Sequence, residues 1–237
     1  MTKDNLFKRA FRFQESDCTI IADMQDGVET AISSIKRNRA LLEEYVRENP
    51  LFLHSFEPVT FKDGPEVARL MVEASEMAGV GPMAAVAGVL ADLAVKDMMA
   101  AGCRVAVVEN GGEVYALSNQ PIDIAFVAGD EPLSREMGFR LKQFPLGVAT
   151  SSGRFSHAFS FGDADAVTIF AVDAGLADAV ATAVANLITG EDVTEVIKRG
   201  IEKALSINGV SGVFILYRGI VGKAGHVPDL IKVNPQK

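Results

Sequence analysis

Three polar side chains at four-residue spacing interrupt an otherwise apolar segment, residues 176–188. They are Asp178, Thr182 and Asn186. This spacing places all three on one face of a helix, which then faces the interior or a cleft. A buried carboxylate must be paired, hydrogen-bonded or bound to a metal, and carboxylate with hydroxyl oxygen is a donor set suited to Mg²⁺. The segment therefore predicts either a metal site at Asp178 and Thr182 or a polar stripe bonded to a neighbouring strand's backbone.

Two glycine-containing turns are the next candidates. Gly79-Val80-Gly81-Pro82 precedes an apolar helix, where free N–H groups and the positive end of the dipole would favour a phosphate. A purely structural turn explains the same residues. Asn110-Gly111-Gly112-Glu113 predicts a tight hairpin turn. Its alternative role is to bring glycine backbone against a ligand, with Glu109 or Glu113 available to that ligand.

A segment rich in hydroxyl side chains is the fourth candidate. Thr150-Ser151-Ser152-Gly153 can form an anion-binding nest, and His157 follows shortly after it. Serine with histidine would also suit nucleophilic catalysis, but no G-x-S-x-G pattern surrounds either serine, which disfavours a serine hydrolase. Asp173 directly precedes a predicted helix and has the residue type and the place of an N-cap.

The elements that must position these residues occur in blocks. Hydrophobic spacing predicts an opening hairpin over 7–13 and 18–22, and helices over 27–48, 66–78, 83–101, 176–188 and 193–205. Further strands are predicted at 104–109, 113–117, 122–128, 146–149, 157–161, 166–172 and 212–217. Blocks of strands and helices, without strict alternation, favour an α+β layered fold with a largely antiparallel sheet packed by helices. The chain has no internal repeat or linker, so one domain over residues 1–237 is expected.

Composition limits the classes of partner and the compartment. The chain has 31 acidic and 23 basic residues, a formal net charge of −8, which disfavours binding to nucleic acid or an anionic membrane. No apolar region follows the charged N-terminus, and Asp92, Lys96 and Asp97 interrupt the most apolar stretch. Two cysteines outside any ligand-spaced cluster are expected to be reduced thiols. We therefore expect a cytoplasmic protein.

Taken in order, three of these stretches resemble the ApbE-like superfamily, whose best-known members are the FAD:protein FMN transferases. The stretches are Asn110-Gly111-Gly112-Glu113, Thr150-Ser151-Ser152-Gly153 with His157, and Ala177-Asp178-Ala179 through Thr182-Ala183. The resemblance covers about residues 80–190. The closer similarity is to the short, cytoplasmic, uncharacterised branch of anaerobic bacteria and methanogens.

The resemblance implies particular roles for these residues. Asp178 and Thr182 would hold a Mg²⁺ against the pyrophosphate of FAD, and His157 would position or protonate a reacting group. Phosphate or flavin would be bound by Gly81, by the Gly111-Gly112-Glu113 turn, and by Thr150-Ser151-Ser152-Gly153. The implied function is a Mg²⁺-assisted flavin- or nucleotide-binding protein that transfers a flavin phosphate or related group, with a link to anaerobic sulfur and homocysteine assimilation.

One departure from the family pattern supports an alternative. Flavin transferases carry His-x-x-Asp-Pro-x-Thr-Gly, whereas this chain has His157-Ala158-Phe159-Ser160-Phe161-Gly162 and so lacks the Asp-Pro and the Thr. The alternative function is a non-catalytic accessory subunit that has the ApbE fold and binds a protein partner.

Overall fold

The structure, a computed structural model, describes residues 6–125, 137–152 and 162–233. Its strands are β1 Phe7–Phe13, β2 Ser16–Ala22, β3 Ala106–Asn110, β4 Glu113–Leu117, β5 Ile122–Ala125, β6 Met137–Leu141, β7 Leu146–Ser151, β8 Ala166–Ala171, β9 Val210–Tyr217, β10 Ile220–Gly225 and β11 Asp229–Lys232. Its helices are α1 Gln25–Glu48, α2 Pro50–His54, α3 Glu66–Ala78, α4 Val86–Ala100, α5 Ala174–Ala185 and α6 Val193–Leu205. A short 3-10 turn, Pro82–Ala85, leads into α4.

Two antiparallel sheets organise the part of the chain that the structure describes. The larger has eight strands in the order β1-β2-β3-β4-β7-β8-β9-β10, and the smaller has three in the order β11-β6-β5. The strand pairs in both sheets are antiparallel. With helices packed on the larger sheet, this confirms the predicted α+β fold and its largely antiparallel sheet.

The larger sheet has a different neighbour on each face. Val167 and Ile169 of β8 lie in a buried cluster with residues of α3, α5 and α6. Phe170 points to the other face, where its ring packs edge-on against Phe139 of β6 with centroids 5.0 Å apart. Successive side chains of a strand alternate between faces, so one face of this sheet carries the helices and the other carries the small sheet.

Several predicted elements agree with the structure and others differ for identifiable reasons. Helices 66–78 and 193–205, the opening hairpin and strand 113–117 are confirmed. Pro82 sits at the first position of a 3-10 turn, so α4 begins at Val86 rather than at residue 83. Pro50 ends α1 but also begins α2, which the sequence did not predict. The predicted strand 157–161 and the end of 122–128 lie outside the described residues, and the single domain stays a prediction.

None of the helices in the described residues is by itself long and apolar enough to cross a membrane. One pair of neighbouring helices, Glu66–Ala78 with Pro82–Ala100, is long and apolar enough when taken together, but the two helices are bent by 102°. Cys18 and Cys103 are free and buried, in agreement with the expected thiols.

Candidate functional site

Two glycines let α4 and α5 cross in close contact. A Cβ built on Gly88 would lie 2.2 Å from the carbonyl oxygen of Ala174. One built on Gly175 would lie 2.6 Å from Cγ2 of Val89. These distances are far below van der Waals contact, so any larger residue would push the helices apart. The two glycines therefore bring the first turns of both helices together.

An aspartate from each helix caps the N-terminus of the other. Asp178 of α5 accepts a hydrogen bond at Oδ2 from the Gly88 N–H, at 3.1 Å. Asp92 of α4 accepts from the N–H groups of Ala174 and Gly175, each at 2.8 Å. The first N–H groups of a helix lack partners within the helix, and its positive dipole end favours a carboxylate. Each aspartate thus provides an acceptor for N–H groups in the first turn of the other helix.

A second carboxylate also caps α5. Asp173 accepts from the Leu176 N–H at 2.7 Å, which confirms its predicted N-cap role. Burial raises the pKa of Asp173, and it raises the pKa of Asp92 to about 8, with the nearby negative charge of Asp173 as the next contribution. At the start of α5, the negative charge of Asp173 therefore disfavours the ionisation of Asp92.

Asp178 and Glu113 are a second pair of acidic residues with raised pKa values. Burial raises the pKa of Asp178 to about 7, against the opposing effect of hydrogen bonds from the backbone of Gly88 and Ala87. Glu113, at the first position of β4, has its pKa raised well above the usual value by burial and then by the charge of Asp178. Two partly buried carboxylates whose charges oppose each other favour either a shared proton or a bound cation.

Asn110 connects the β3–β4 hairpin to the start of α4. It is 3% exposed, and its Nδ2 donates to the Ala87 carbonyl oxygen at 3.1 Å. Its Oδ1 accepts from the Cys18 thiol at 3.3 Å. Since Ala87 adjoins Gly88, Asn110 holds the same turn of backbone that binds Asp178.

The Gly111-Gly112 segment is a two-residue hairpin turn, as the structural alternative predicted. Both glycines have positive φ, 73° and 117°, between the paired residues Asn110 and Glu113. The Gly111 N–H donates to the Asp17 carbonyl oxygen at 3.0 Å. The Gly112 N–H donates to Glu109 Oε1 at 2.9 Å. Both N–H groups therefore already have acceptors within the chain.

Gly81 has a structural reason to be glycine. A Cβ there would lie 1.8 Å from the Ser55 carbonyl oxygen, so the backbone after α2 passes directly against it. Gly79 ends α3 in the left-handed conformation, with φ of 80°. These observations give both glycines a structural reason, and the phosphate contact at Gly81 stays a prediction.

The hydroxyl-rich segment divides between the two faces of the large sheet. Thr150 Oγ1 lies 2.9 Å from Thr168 Oγ1 across the β7–β8 pair. Thr168 lies between Val167 and Ile169, which face the helices, so both threonines point to the opposite face, away from Asp178. Ser151 alternates with Thr150 and points to the helix side, and Ser152 is buried. Gly153 and His157 lie outside the described residues.

Thr182 completes the set of oxygen donors on α5. It is partly buried and lies one turn beyond Asp178 on the same face. Within the described ranges, no cluster of three or more His, Cys, Asp or Glu side chains could hold a metal ion. The carboxylate of Asp178, the hydroxyl of Thr182 and the nearby Glu113 nevertheless suit Mg²⁺, which usually completes its coordination with water and phosphate oxygens.

A surface depression of about 530 Å³ lies elsewhere on the molecule. It is lined by Asp26, Glu29, Thr30, Ser33, Arg37 and Asp97. Asp97 is nine residues beyond Gly88 on α4, about 14 Å along the helix. The depression is therefore separate from the Asp178 site.

Sequence reasoning missed the contributions of Asp92, Asn110 and Gly88. One signal could have indicated Asp92, because a carboxylate in a helix that is apolar on nearly every face needs an internal partner. Its partners lie 82 and 83 residues away, and no local pattern identifies them.

The fold and the site together define an α+β protein whose acidic centre lies between an antiparallel sheet and two crossed helix starts. A family model described as "AbpE bacteria" matches residues 2–208, and the chain belongs to that family. This confirms the resemblance to ApbE proteins that the sequence motifs indicated.

Similar proteins extend over nearly the whole chain. A UPF0280 protein of Methanocaldococcus jannaschii is 39% identical over 233 residues, which cover 96% of this chain and 94% of that protein. One from Methanopyrus kandleri is 40% identical over 225 residues, covering 93% and 91%. These relatives agree with the predicted methanogen branch.

Solved structures support the fold. The apo flavinyl transferase ApbE of Pseudomonas stutzeri has a TM-score of 0.63 at 16% identity, and the match covers 95% of this chain and 96% of that one. The ApbE protein of Thermotoga maritima has a TM-score of 0.57 at 15% identity, covering 93% and 97%. At such identities the likeness shows the ApbE fold.

Proposed function

We propose that this protein binds a flavin or nucleotide with the help of Mg²⁺ and transfers a flavin phosphate or a related group. The observation that carries the proposal is the pair of partly buried carboxylates Asp178 and Glu113, of which Asp178 accepts a hydrogen bond from the first turn of α4. The proteins of similar fold that are called flavin transferases support the choice of ligand. The link to anaerobic sulfur and homocysteine assimilation is part of the proposal and rests on the family resemblance alone.

Asp178 and Thr182 would hold the metal, and Glu113 would add negative charge to the site. When bound, Mg²⁺ neutralises charge that develops on the oxygens of a pyrophosphate. The N-terminal turn of α4 adds the positive end of its dipole next to Asp178. Ser151 lies on the helix side of β7, the face of the large sheet that carries α5. His157 keeps its proposed role of positioning or protonating a group.

In such a transfer the bond between the two phosphoryl groups of FAD breaks. The flavin phosphate passes to an acceptor oxygen, and AMP leaves with the electron pair of the broken bond. The proton of the acceptor hydroxyl passes to solvent, and protonation of the oxygen on which AMP leaves is the step for which we propose His157.

The direct test is a calorimetric titration of FAD with and without Mg²⁺. We expect Asp178→Ala to weaken Mg²⁺-dependent binding by at least about tenfold, because a metal loses one of its protein ligands. Asp123→Asn is the matched control, since this exposed carboxylate pairs with Arg140 in the small sheet, on the other side of the large one. Equal affinities for wild type and Asp178→Ala would contradict the metal assignment, and AMP release from FAD would report turnover.

A second candidate is a non-catalytic accessory subunit that binds a protein partner. This candidate is favoured because the groups proposed to bind ligand already have partners within the chain. Asp178 caps α4, and the N–H groups of Gly111 and Gly112 donate to acceptors in the chain. Its test is the absorbance spectrum of the purified protein followed by incubation with FAD, Mg²⁺ and a candidate acceptor. Bound flavin with AMP release would eliminate this candidate, and absence of both would favour it.

A further inference from the structure

Asp92 is bonded differently from the other charged residues of α4. Lys96 pairs with Glu66 through Nζ at 2.8 Å, and Asp97 pairs with Arg37 at 2.6 Å. Asp92, by contrast, accepts hydrogen bonds through both carboxylate oxygens from backbone N–H groups of α5. Moving a carboxylate from water into an apolar interface costs free energy unless hydrogen bonds replace its lost hydration.

The α5 start does not need Asp92 for an ordinary cap. Asp173 already accepts from the Leu176 N–H, which is the usual N-cap bond from a residue directly before the helix. Asp92 satisfies the two preceding N–H groups from a neighbouring element. The start of α5 is therefore held from two sides, by its own chain and by α4.

The bonds between the helices form a closed frame. On α4, Gly88 and Asp92 are four residues apart, and on α5, Ala174 and Asp178 are four residues apart, so each pair lies on one face. Gly88 donates to Asp178, and Asp92 accepts from Ala174. Hydrogen bonds thus join the two helices at both ends of one helical turn. Between them, Gly88 and Gly175 allow the backbones of the two helices to approach closely.

We propose that Asp92 is a positioning residue for the Asp178 site, because its bonds to Ala174 and Gly175 complete the frame that holds α5 in register with α4. α5 carries both Asp178 and Thr182, so a shift of its start displaces both oxygen donors together. The inference rests on the proposed function, since the site that Asp92 positions is the proposed Mg²⁺ site.

The test compares Asp92→Asn and Asp92→Ala with Asp97→Asn. Asparagine keeps one acceptor oxygen but turns an N–H group toward the second donor, so it retains one of the two bonds at most, and alanine retains neither. We expect both Asp92 variants to weaken Mg²⁺ affinity in the presence of FAD by about 10- to 100-fold, as replacement of residues supporting metal ligands typically does. Alanine should have the larger effect.

Asp97→Asn separates positioning from general loss of stability. It removes an ion pair from the same helix but leaves the contacts to α5 intact. We expect its Mg²⁺ affinity to stay within about twofold of wild type even where its Tm falls as much as that of Asp92→Asn. If the Asp92 variants bind Mg²⁺ as tightly as Asp97→Asn, the positioning role is overturned while the metal assignment stands.

Amide hydrogen exchange gives a readout that does not need a metal. We expect Asp92→Asn to accelerate exchange of the Gly88 N–H by about tenfold or more, because the frame that holds it against Asp178 is opened, and Asp97→Asn to leave it unchanged. If wild type binds no Mg²⁺, the proposed function fails, and this exchange rate alone decides the positioning role. Unchanged exchange at Gly88 would overturn it. If Asp92→Ala does not fold, Asp92→Asn carries both measurements.

Discussion

Asp178 joins two helices, because its carboxylate on α5 accepts a hydrogen bond from the Gly88 N–H in the first turn of α4. The four-residue spacing correctly indicated a polar stripe on a largely buried helix, with either a metal or backbone as its partner. Its carboxylate does bond backbone, but the donor is the first turn of α4 rather than a neighbouring strand. The donor lies 90 residues away in the chain, so periodicity could identify the stripe and not what faces it.

The raised pKa of Asp178 predicts an unusual dependence of stability on pH. Its pKa is about 7 in the folded protein against 3.8 for an unperturbed aspartate. Between these values the folded state holds a proton that the unfolded state has released, so the free energy of unfolding falls as pH rises. The stabilising contribution is complete below the unfolded pKa and is lost as pH rises toward 7. Urea unfolding of wild type and Asp178→Asn at several pH values measures this effect.

We expect the asparagine variant to gain stability relative to wild type as pH rises from about 5 to about 7, by up to about 1.4 kcal/mol per pH unit. The control is Asp123→Asn. The pKa of Asp123 is lowered by its hydrogen bond from Arg140, so it contributes stability that is already complete above the unfolded value of 3.8. This control should show no slope in the same interval, and a flat difference for Asp178→Asn would contradict the assigned pKa.

At the scale of elements, the sequence predicted helices better than what joins them. α3 and α6 were predicted with the bounds the structure has, because each buries one apolar stripe and ends at a clear local signal. The start of α4 was predicted too early, since a proline permits a 3-10 turn as readily as the first turn of an α-helix. β6 was not predicted, and its partners β5 and β11 lie on either side of it in the small sheet.

The close approach of α4 and α5 predicts that Gly88→Ala is destabilising. Alanine has the better helix propensity by about 1 kcal/mol, which alone would stabilise α4. Its Cβ would meet the Ala174 carbonyl at 2.2 Å, and backbone cannot rotate away. We expect a net loss of about 1–3 kcal/mol in the free energy of unfolding, measured by urea denaturation.

Gly200→Ala in α6 is the matched comparison. A Cβ there would meet the Cδ1 atoms of Ile188 and Ile215, both at 2.8 Å, and these are the free ends of flexible side chains. The loss in the free energy of unfolding should be smaller than for Gly88→Ala, because these side chains can move aside. Equal losses would mean that the helix crossing tolerates a methyl group and that the contact does not set the spacing of the two helices.

At the scale of the whole molecule, the large sheet divides the candidate residues between two compartments. The sequence could group Thr150, Ser151 and Ser152 as one segment but could not assign their faces without the strand order. β4 pairs directly with β7, although β5 and β6 of the small sheet lie between them in the chain. The position of Thr150 follows from its pairing with Thr168. Such non-local pairing leaves no trace in the local pattern of either strand.

This division predicts opposite effects for two threonine substitutions. Thr150→Val removes a hydrogen bond on the small-sheet side, so we expect a loss of about 1 kcal/mol in the free energy of unfolding and unchanged Mg²⁺ affinity. Thr182→Val, on the helix side, should weaken Mg²⁺ binding and alter stability less. Calorimetry and urea denaturation of both variants give the comparison, and loss of Mg²⁺ affinity in Thr150→Val would contradict the assignment of faces.

The reciprocal caps between α4 and α5 have a consequence for biosynthesis. They join residues 82 to 90 positions apart, so α4 emerges from the ribosome long before the groups that cap it exist. Closing so long a loop is entropically unfavourable and makes these bonds late events in folding. A chain truncated before α5 would leave the α4 N-terminus without Asp178 and its apolar surface uncovered. A ligand that binds at Asp178 therefore binds only after α5 has been synthesised and has folded against α4. Such binding stabilises the folded protein by mass action.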